Sequence, residues 1–258
     1  APSADMFELG VRLQVPNVEM DLLLLEFPQL TANFRKVTSL NLSGRNFNQA
    51  HNAFLELFPK LEALGLAGNE LERVPDAVAK LRNLQHLDLS SNQIALSAQD
   101  VAQLRELRRL RELRLNGNPQ LTAVPDISQM PDLRELDLSG TGVQDWPVGL
   151  FASPRDQSFR LELNNTAIKH IPEVAPGSAK AETIARTRLD RKKLEFDDQA
   201  RFADYRESVG LDPERTYEPK GDSSFWLEEV DVAEQPELQE LWDSVEREHG
   251  SQGFFEVI

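Results

Sequence analysis

Charged side chains two residues apart recur through the middle of this chain: His86 and Asp88, Glu112 and Arg114, Glu135 and Asp137, Arg160 and Glu162. On an extended strand, residues two apart share a face, so each pair would stand side by side on a sheet surface. Rows of carboxylate, guanidinium and imidazole groups suit recognition of a polar protein surface. Catalysis would need a nucleophile held beside a base, and the sequence offers no such pair. There is no cysteine in the 258 residues, which removes disulfides, thiolate metal ligands and thiol nucleophiles. His51, His86, His170 and His249 have no metal-ligand spacing among them. No G-x-S-x-G, phosphate-binding loop, dinucleotide-binding or EF-hand pattern is present, so no cofactor is expected. Arg105 to Arg114 holds five arginines, but Glu106 and Glu112 interleave, and the run reads as a solvated face rather than a nucleic-acid patch.

The elements that would carry these pairs are set by a repeated frame. Leu61-x-x-Leu64-x-Leu66-x-x-Asn69-x-Leu71 has the form L-x-x-L-x-L-x-x-N-x-L. It returns at Leu84 to Ile94, with Asn92, and at Leu110 to Asn118, where Leu121 closes the turn one residue late. Val37 to Phe47 puts Arg45 in the Asn slot, Leu133 to Val143 puts Thr141 there, and Ser158 to Ile168 is a weaker copy with Thr166. First positions step by 24, 23, 26, 23 and 25 residues. The pattern resembles a leucine-rich repeat. It implies an α/β solenoid: a parallel-strand concave sheet, with leucines at frame positions 1, 4, 6 and 11 pointing inward. Asn at position 9 would satisfy backbone groups buried at the turn, a task that Thr can do only in part. Arg45 is expected to point out. Positions 3, 5 and 7 would line the concave face, which makes His86, Asp88, Glu112, Arg114, Glu135, Asp137, Arg160 and Glu162 the candidate protein-binding residues. The competing reading is a solvated face closed by its own ion pairs.

Three segments follow from the frame: an N-terminal cap over residues 1–36, the repeat array over 37–176, and a helical segment over 177–258. Val11, Leu13 and Val15 alternate as in a strand. Return segments of the form L-x-x-L-P, such as Leu71 to Pro75 and Ile168 to Pro172, disfavour a long helix, because proline fixes φ. Asn48 to Leu57 and Ser97 to Leu107 have helical spacing instead, and Ser97 with Asp100 forms a capping-box pattern. Beyond Pro176, residues 179–194 read as one helix. Asp197 or Asp198 would cap a second helix bearing Phe202, Tyr205 and Val209, ended by Gly210. Phe225 to Leu227 form an apolar plug, and Leu238, Leu241, Trp242 and Val245 form the stripe of an amphipathic helix. Trp226 and Trp242 read as core.

Net charge is −15, and residues 212–258 hold 3 basic against 14 acidic side chains. That balance disfavours nucleic acid and anionic membranes as partners. No apolar run is long enough for a membrane span, and no secretory signal is present. Both termini read as cuts in a longer protein.

The stretch Leu241-Trp242-Asp243 to His249, followed by Gly253-Phe254-Phe255, is similar to the opening helices of the novel E3 ligase family of bacterial effectors. The resemblance covers the last twenty to thirty residues closely and the repeats loosely. It implies a bacterial protein secreted into the host cytoplasm, whose repeats choose a substrate for ubiquitin transfer. In that family a Cys-x-Asp cysteine receives ubiquitin from an E2 as a thioester. This chain has no cysteine, so it would be the non-catalytic recognition part, with E2~ubiquitin engaged only through a catalytic region that it lacks. The alternative is a stand-alone repeat scaffold with no enzymatic parent.

Overall fold

The computed structural model describes residues 12, 13, 20, 34–214 and 241. The chain divides into two compact units, Ala1–Arg215 and Thr216–Ile258. The first is a leucine-rich-repeat solenoid. Seven short strands form one sheet in sequence order: β1 (Arg12–Leu13), β2 (Ser39–Asn41), β3 (Ala63–Gly65), β4 (His86–Asp88), β5 (Glu112–Arg114), β6 (Glu135–Asp137) and β7 (Arg160–Glu162). Every neighbouring pair is parallel, and the register aligns Leu40, Leu64, Leu87, Leu113, Leu136 and Leu161 at frame position 4. All six are buried. The strand expected around Val11–Val15 is present as β1, paired with β2. A parallel strand needs a crossover before the next, and here the return half of each repeat supplies it.

The core is the column of frame leucines. Each fully buried aliphatic side chain contributes roughly 1.5–3 kcal/mol, so the frame accounts for most of what holds the array together. The asparagines stitch it. Asn92 accepts from the backbone N–H of Asn69 and Leu71 in the preceding repeat, and donates to the carbonyls of Leu66, Leu89 and Ser90. Asn69 does the same one repeat earlier, accepting from Arg45 and Phe47. Asn118 accepts from Ile94 and donates to Leu89 and Leu115. Thr141 and Thr166 each donate one bond, to Leu138 and Leu163, as the partial role expected of Thr. Arg45 is half-buried rather than fully exposed. Its backbone N–H is met by Asn69 of the following unit, as the Asn69 N–H is met by Asn92.

Return segments follow their sequences. Gln49–His51 is a 3-10 turn running into α1 (Asn52–Leu55), Asp76–Lys80 is a 3-10 turn after Pro75, and α2 is Ala98–Arg105. The Ser97–Asp100 capping box is formed in both directions. In the weak sixth copy, Phe159 rather than Ser158 is the buried residue before the strand.

The single helix expected over 179–194 is instead α3 (Ala179–Ala185), an extended Thr187–Leu189, and a 3-10 turn at Arg191–Lys193. Sheet pairing overrides helix propensity here. The open edge of β7 takes Arg188, whose N–H donates to the Leu161 carbonyl and whose carbonyl accepts from Leu163. Ile184, Thr187, Leu189 and Leu194 then occupy frame positions 1, 4, 6 and 11, and all are buried. Helix α4 (Phe196–Ser208) packs behind, burying Phe202 and Tyr205. Neither Asp197 nor Asp198 caps it. Glu195 holds the N-cap position without a side-chain bond, and Asp198 turns inward to the array. Gly210, at φ +78°, ends the helix as expected, in the left-handed conformation that suits glycine. Phe225 to Leu227, Trp242, Val245 and the terminal phenylalanines lie outside the described residues. Leu241 is helical and exposed.

Candidate protein-binding face

The outward side chains of β4 to β7 bring all eight candidate residues onto one surface. The register sets His86, Glu112, Glu135 and Arg160 in one row and Asp88, Arg114, Asp137 and Glu162 in a second. Neighbouring parallel strands lie about 4.8 Å apart, so charges on successive rungs are within direct reach.

The rows close into a ladder of ion pairs, with the His86 imidazole in hydrogen-bonding contact at its first rung. His86 Nδ1 lies 3.0 Å from Glu112 Oε2, and Glu112 Oε1 holds Arg114 Nε. Arg114 Nε is 3.4 Å from Glu135 Oε1, and Glu135 Oε2 is 3.9 Å from Arg160 Nη1. Arg160 Nε lies 3.2 Å from Glu162 Oε1, which also faces Arg188 Nε at 3.4 Å. Burial of Arg114 opposes its charge, but Glu112, Glu135, Asp88 and Asp137 more than offset this and raise its pKa above the ordinary guanidinium value.

The ladder sinks as it runs. Side-chain exposure is 51% at His86, 25% at Glu112 and 40% at Arg114, then 17% at Glu135, 12% at Arg160 and 4% at Glu162. Exposed pairs of this kind contribute about 0–1 kcal/mol, whereas buried charges must be paired to be tolerated. The deep end, Arg160, Glu162 and Arg188, is therefore held by internal pairing. His86, Glu112 and Arg114 at the shallow end are the groups within reach of a partner. Asp88 and Asp137 have a local task as well. Each accepts from the backbone N–H and hydroxyl of the serine two residues on, Ser90 and Ser139, closing a turn at the strand end. The Asp-x-Ser spacing was the signal for that role. Sequence reasoning missed Arg188, which extends the ladder from a segment read as helix. Its alternation with Thr187 and Leu189, in frame with Ile184, was the available signal.

The first half of the same face is neutral. Ser39, Asn41, Ala63 and Gly65 present no charge. A Cβ on Gly65 would stand 2.6 Å from Asn41 Oδ1, so a side chain there would displace Asn41. Among the described residues, no group of three or more His, Cys, Asp or Glu is placed to hold a metal ion, and no helix is long and apolar enough to cross a membrane.

One family comparison agrees with the repeat pattern. The family described as leucine rich repeat matches residues 35–94. No curated protein matches the chain. Among solved structures, an internalin from Listeria monocytogenes is similar at 23% identity over 60% of this chain, with a TM-score of 0.45. The leucine-rich-repeat ectodomain of a plant membrane receptor kinase from Arabidopsis thaliana, solved in complex with Casparian strip integrity factor 2, is similar at 20% identity over 61% of this chain, with a TM-score of 0.42. The chain spans 40% of the internalin and 18% of the plant ectodomain.

Proposed function

We propose that this leucine-rich-repeat chain is a protein-recognition module. It engages its partner on the concave sheet through the shallow end of the charge ladder, His86, Asp88, Glu112 and Arg114, with Glu135, Asp137, Arg160 and Glu162 as the supporting continuation. The observation that carries this reading is the gradient of exposure along one continuous ladder. The fixed, internally paired deep end pre-organises the exposed end, so little side-chain freedom is lost on binding. A solenoid face of this kind is a general platform for protein partners. The finer reading is that the module selects substrates for a ligase of the novel E3 type, acting in a host cell. Its support is the order of L-x-x-L-P repeats followed by Leu241-Trp242-Asp243 and Phe254-Phe255 in the sequence.

One experiment with two arms tests both levels. Proteins retained from a host-cell lysate by the wild-type chain are compared with those retained by the triple variant His86→Ala, Asp88→Asn, Asp137→Asn. Asn keeps the oxygen that closes each turn, so the fold is preserved while charge is removed. A specific partner should be retained by the wild type and lost by about tenfold or more in the variant. Equal retention contradicts the concave-face reading. In the second arm, the protein encoded by the complete gene is given that partner with E1, E2 and ubiquitin. Ubiquitination of the partner supports the ligase reading, and a bound but unmodified partner overturns it without touching the binding claim.

A further inference from the structure

The arginine run Arg105–Arg114 acquires neighbours when the chain folds. Each repeat enters its strand through the same turn, with the backbone N–H at frame position 1 bonded three residues back, as in Leu61 to Phe58, Leu84 to Leu81, Leu110 to Leu107 and Leu133 to Met130. The two residues before position 1 and the residue at position 2 therefore stack from repeat to repeat along one edge of the sheet. Over the four repeats starting at Leu61, Leu84, Leu110 and Leu133 that edge has twelve positions. Six are basic, namely Lys60, Arg82, Arg108, Arg109, Arg111 and Arg134, and two are acidic, Glu62 and Asp132, while on the next rung Asp156 lies within electrostatic reach of Arg134. All six basic residues are exposed. Arg111 and Arg134 sit on consecutive rungs, the Arg134 N–H donating to the Arg111 carbonyl at 2.8 Å. Arg82 and Arg108 share the carboxylate of Glu106, and Arg109 donates to Asn83 Oδ1 at 3.2 Å, so part of the row is already oriented. At the other end of the same strands, frame positions 8 and 10 carry no Lys or Arg in these repeats. A chain of net charge −15 thus concentrates positive charge on one rim.

We propose that this rim is a docking surface for an acidic, extended segment of a partner protein. The proposal rests on the reading of the array as a protein-recognition module, and it gives that module a second surface bordering the concave face. Four strands span about 15 Å, which an extended peptide of about 5 residues covers. Arginine dominates the row, and its planar fork suits carboxylates. A nucleic acid fits less well. No aromatic residue stands among the twelve rim positions to stack bases, and a long polyanion would meet the overall negative charge that a short peptide avoids beyond the roughly 8 Å screening length.

The test uses the whole chain and two labelled probes: an alternating Glu-Gly peptide of about 10 residues and an oligouridylate of similar length. Fluorescence anisotropy should show peptide binding that weakens with added salt. Arg111→Glu with Arg134→Glu should weaken it by about tenfold or more, and Arg111→Gln with Arg134→Gln by less. Unaltered thermal unfolding would show that the fold is intact. The concave triple variant should bind the peptide like wild type, which separates this surface from the concave face. Peptide affinity equal to that of a Ser-Gly control, or unchanged by both substitutions, overturns the proposal. Tighter binding of the oligouridylate, lost on reversal, overturns the choice of partner.

Discussion

At the scale of single residues, the asparagine at frame position 9 shows how one side chain can secure two repeats. Asn92 joins five backbone groups, two of them N–H groups of the preceding repeat. Replacing it by Thr should leave a single bond, as Thr141 shows, and strand several buried polar groups. Each stranded group costs about 1–3 kcal/mol, so Asn92→Thr should lower the unfolding free energy by roughly 3 kcal/mol in urea titration. A loss below about 1 kcal/mol would mean that the backbone finds other partners. This role was legible in the sequence, because the Asn amide offers an acceptor oxygen and two N–H donors at that slot, which Thr matches only in part. The inward turn of Asp198 was not legible. Its spacing matched a helix cap, and only the fold reveals His170 and the Ile171 N–H in front of it.

Among the elements, the strands were the most readable part and the closing helices the least. The leucine frame placed β2 to β7, since a one-residue slip would move every leucine out of the core. Residues 184–194 were obscured by Thr187 at position 4 and Lys192 at position 9, neither of which carries the frame's signature. What holds α4 to the array is partly electrostatic. Burial raises the Asp198 pKa, but the Ile171 N–H, His170 and Arg201 more than offset that, and the net shift is downward. Asp198 accepts from Ile171 at 3.0 Å, faces His170 Nδ1 at 2.9 Å and pairs with Arg201 at 2.8 Å. The sign follows from linkage. A lowered folded pKa gives stability that is fully present above the unfolded value, about 3.9, and is lost as pH falls through the folded value. Unfolding free energy measured from about pH 5 downward should therefore fall more steeply for wild type than for Asp198→Asn. Parallel curves would show that the carboxylate adds no net stability to the helix contact.

For the whole molecule, charge is sorted by the fold. The concave sheet carries a paired ladder and one rim carries an excess of arginine, while residues 212–258 hold 14 acidic against 3 basic side chains. The sequence identified the concave residues as a set, because frame arithmetic fixes which positions share a face. It could not rank them, since exposure along the ladder depends on neighbours such as Arg188 that the frame did not predict. The rim was hidden for a similar reason. Its residues are spread over more than seventy positions of chain, from Lys60 to Arg134, and meet only when the repeats stack. The central claim, that a protein partner sits on the concave sheet at the exposed end of the ladder, is tested most directly by photocrosslinking. A benzophenone side chain is placed at position 86 on the concave face or at position 148, where the exposed Val148 lies on a return segment bridged to Asp126. With the captured partner present, irradiation should yield a covalent adduct from position 86 and none from position 148. An adduct from position 148 with none from position 86 would contradict the claim and move recognition to the outer surface of the array.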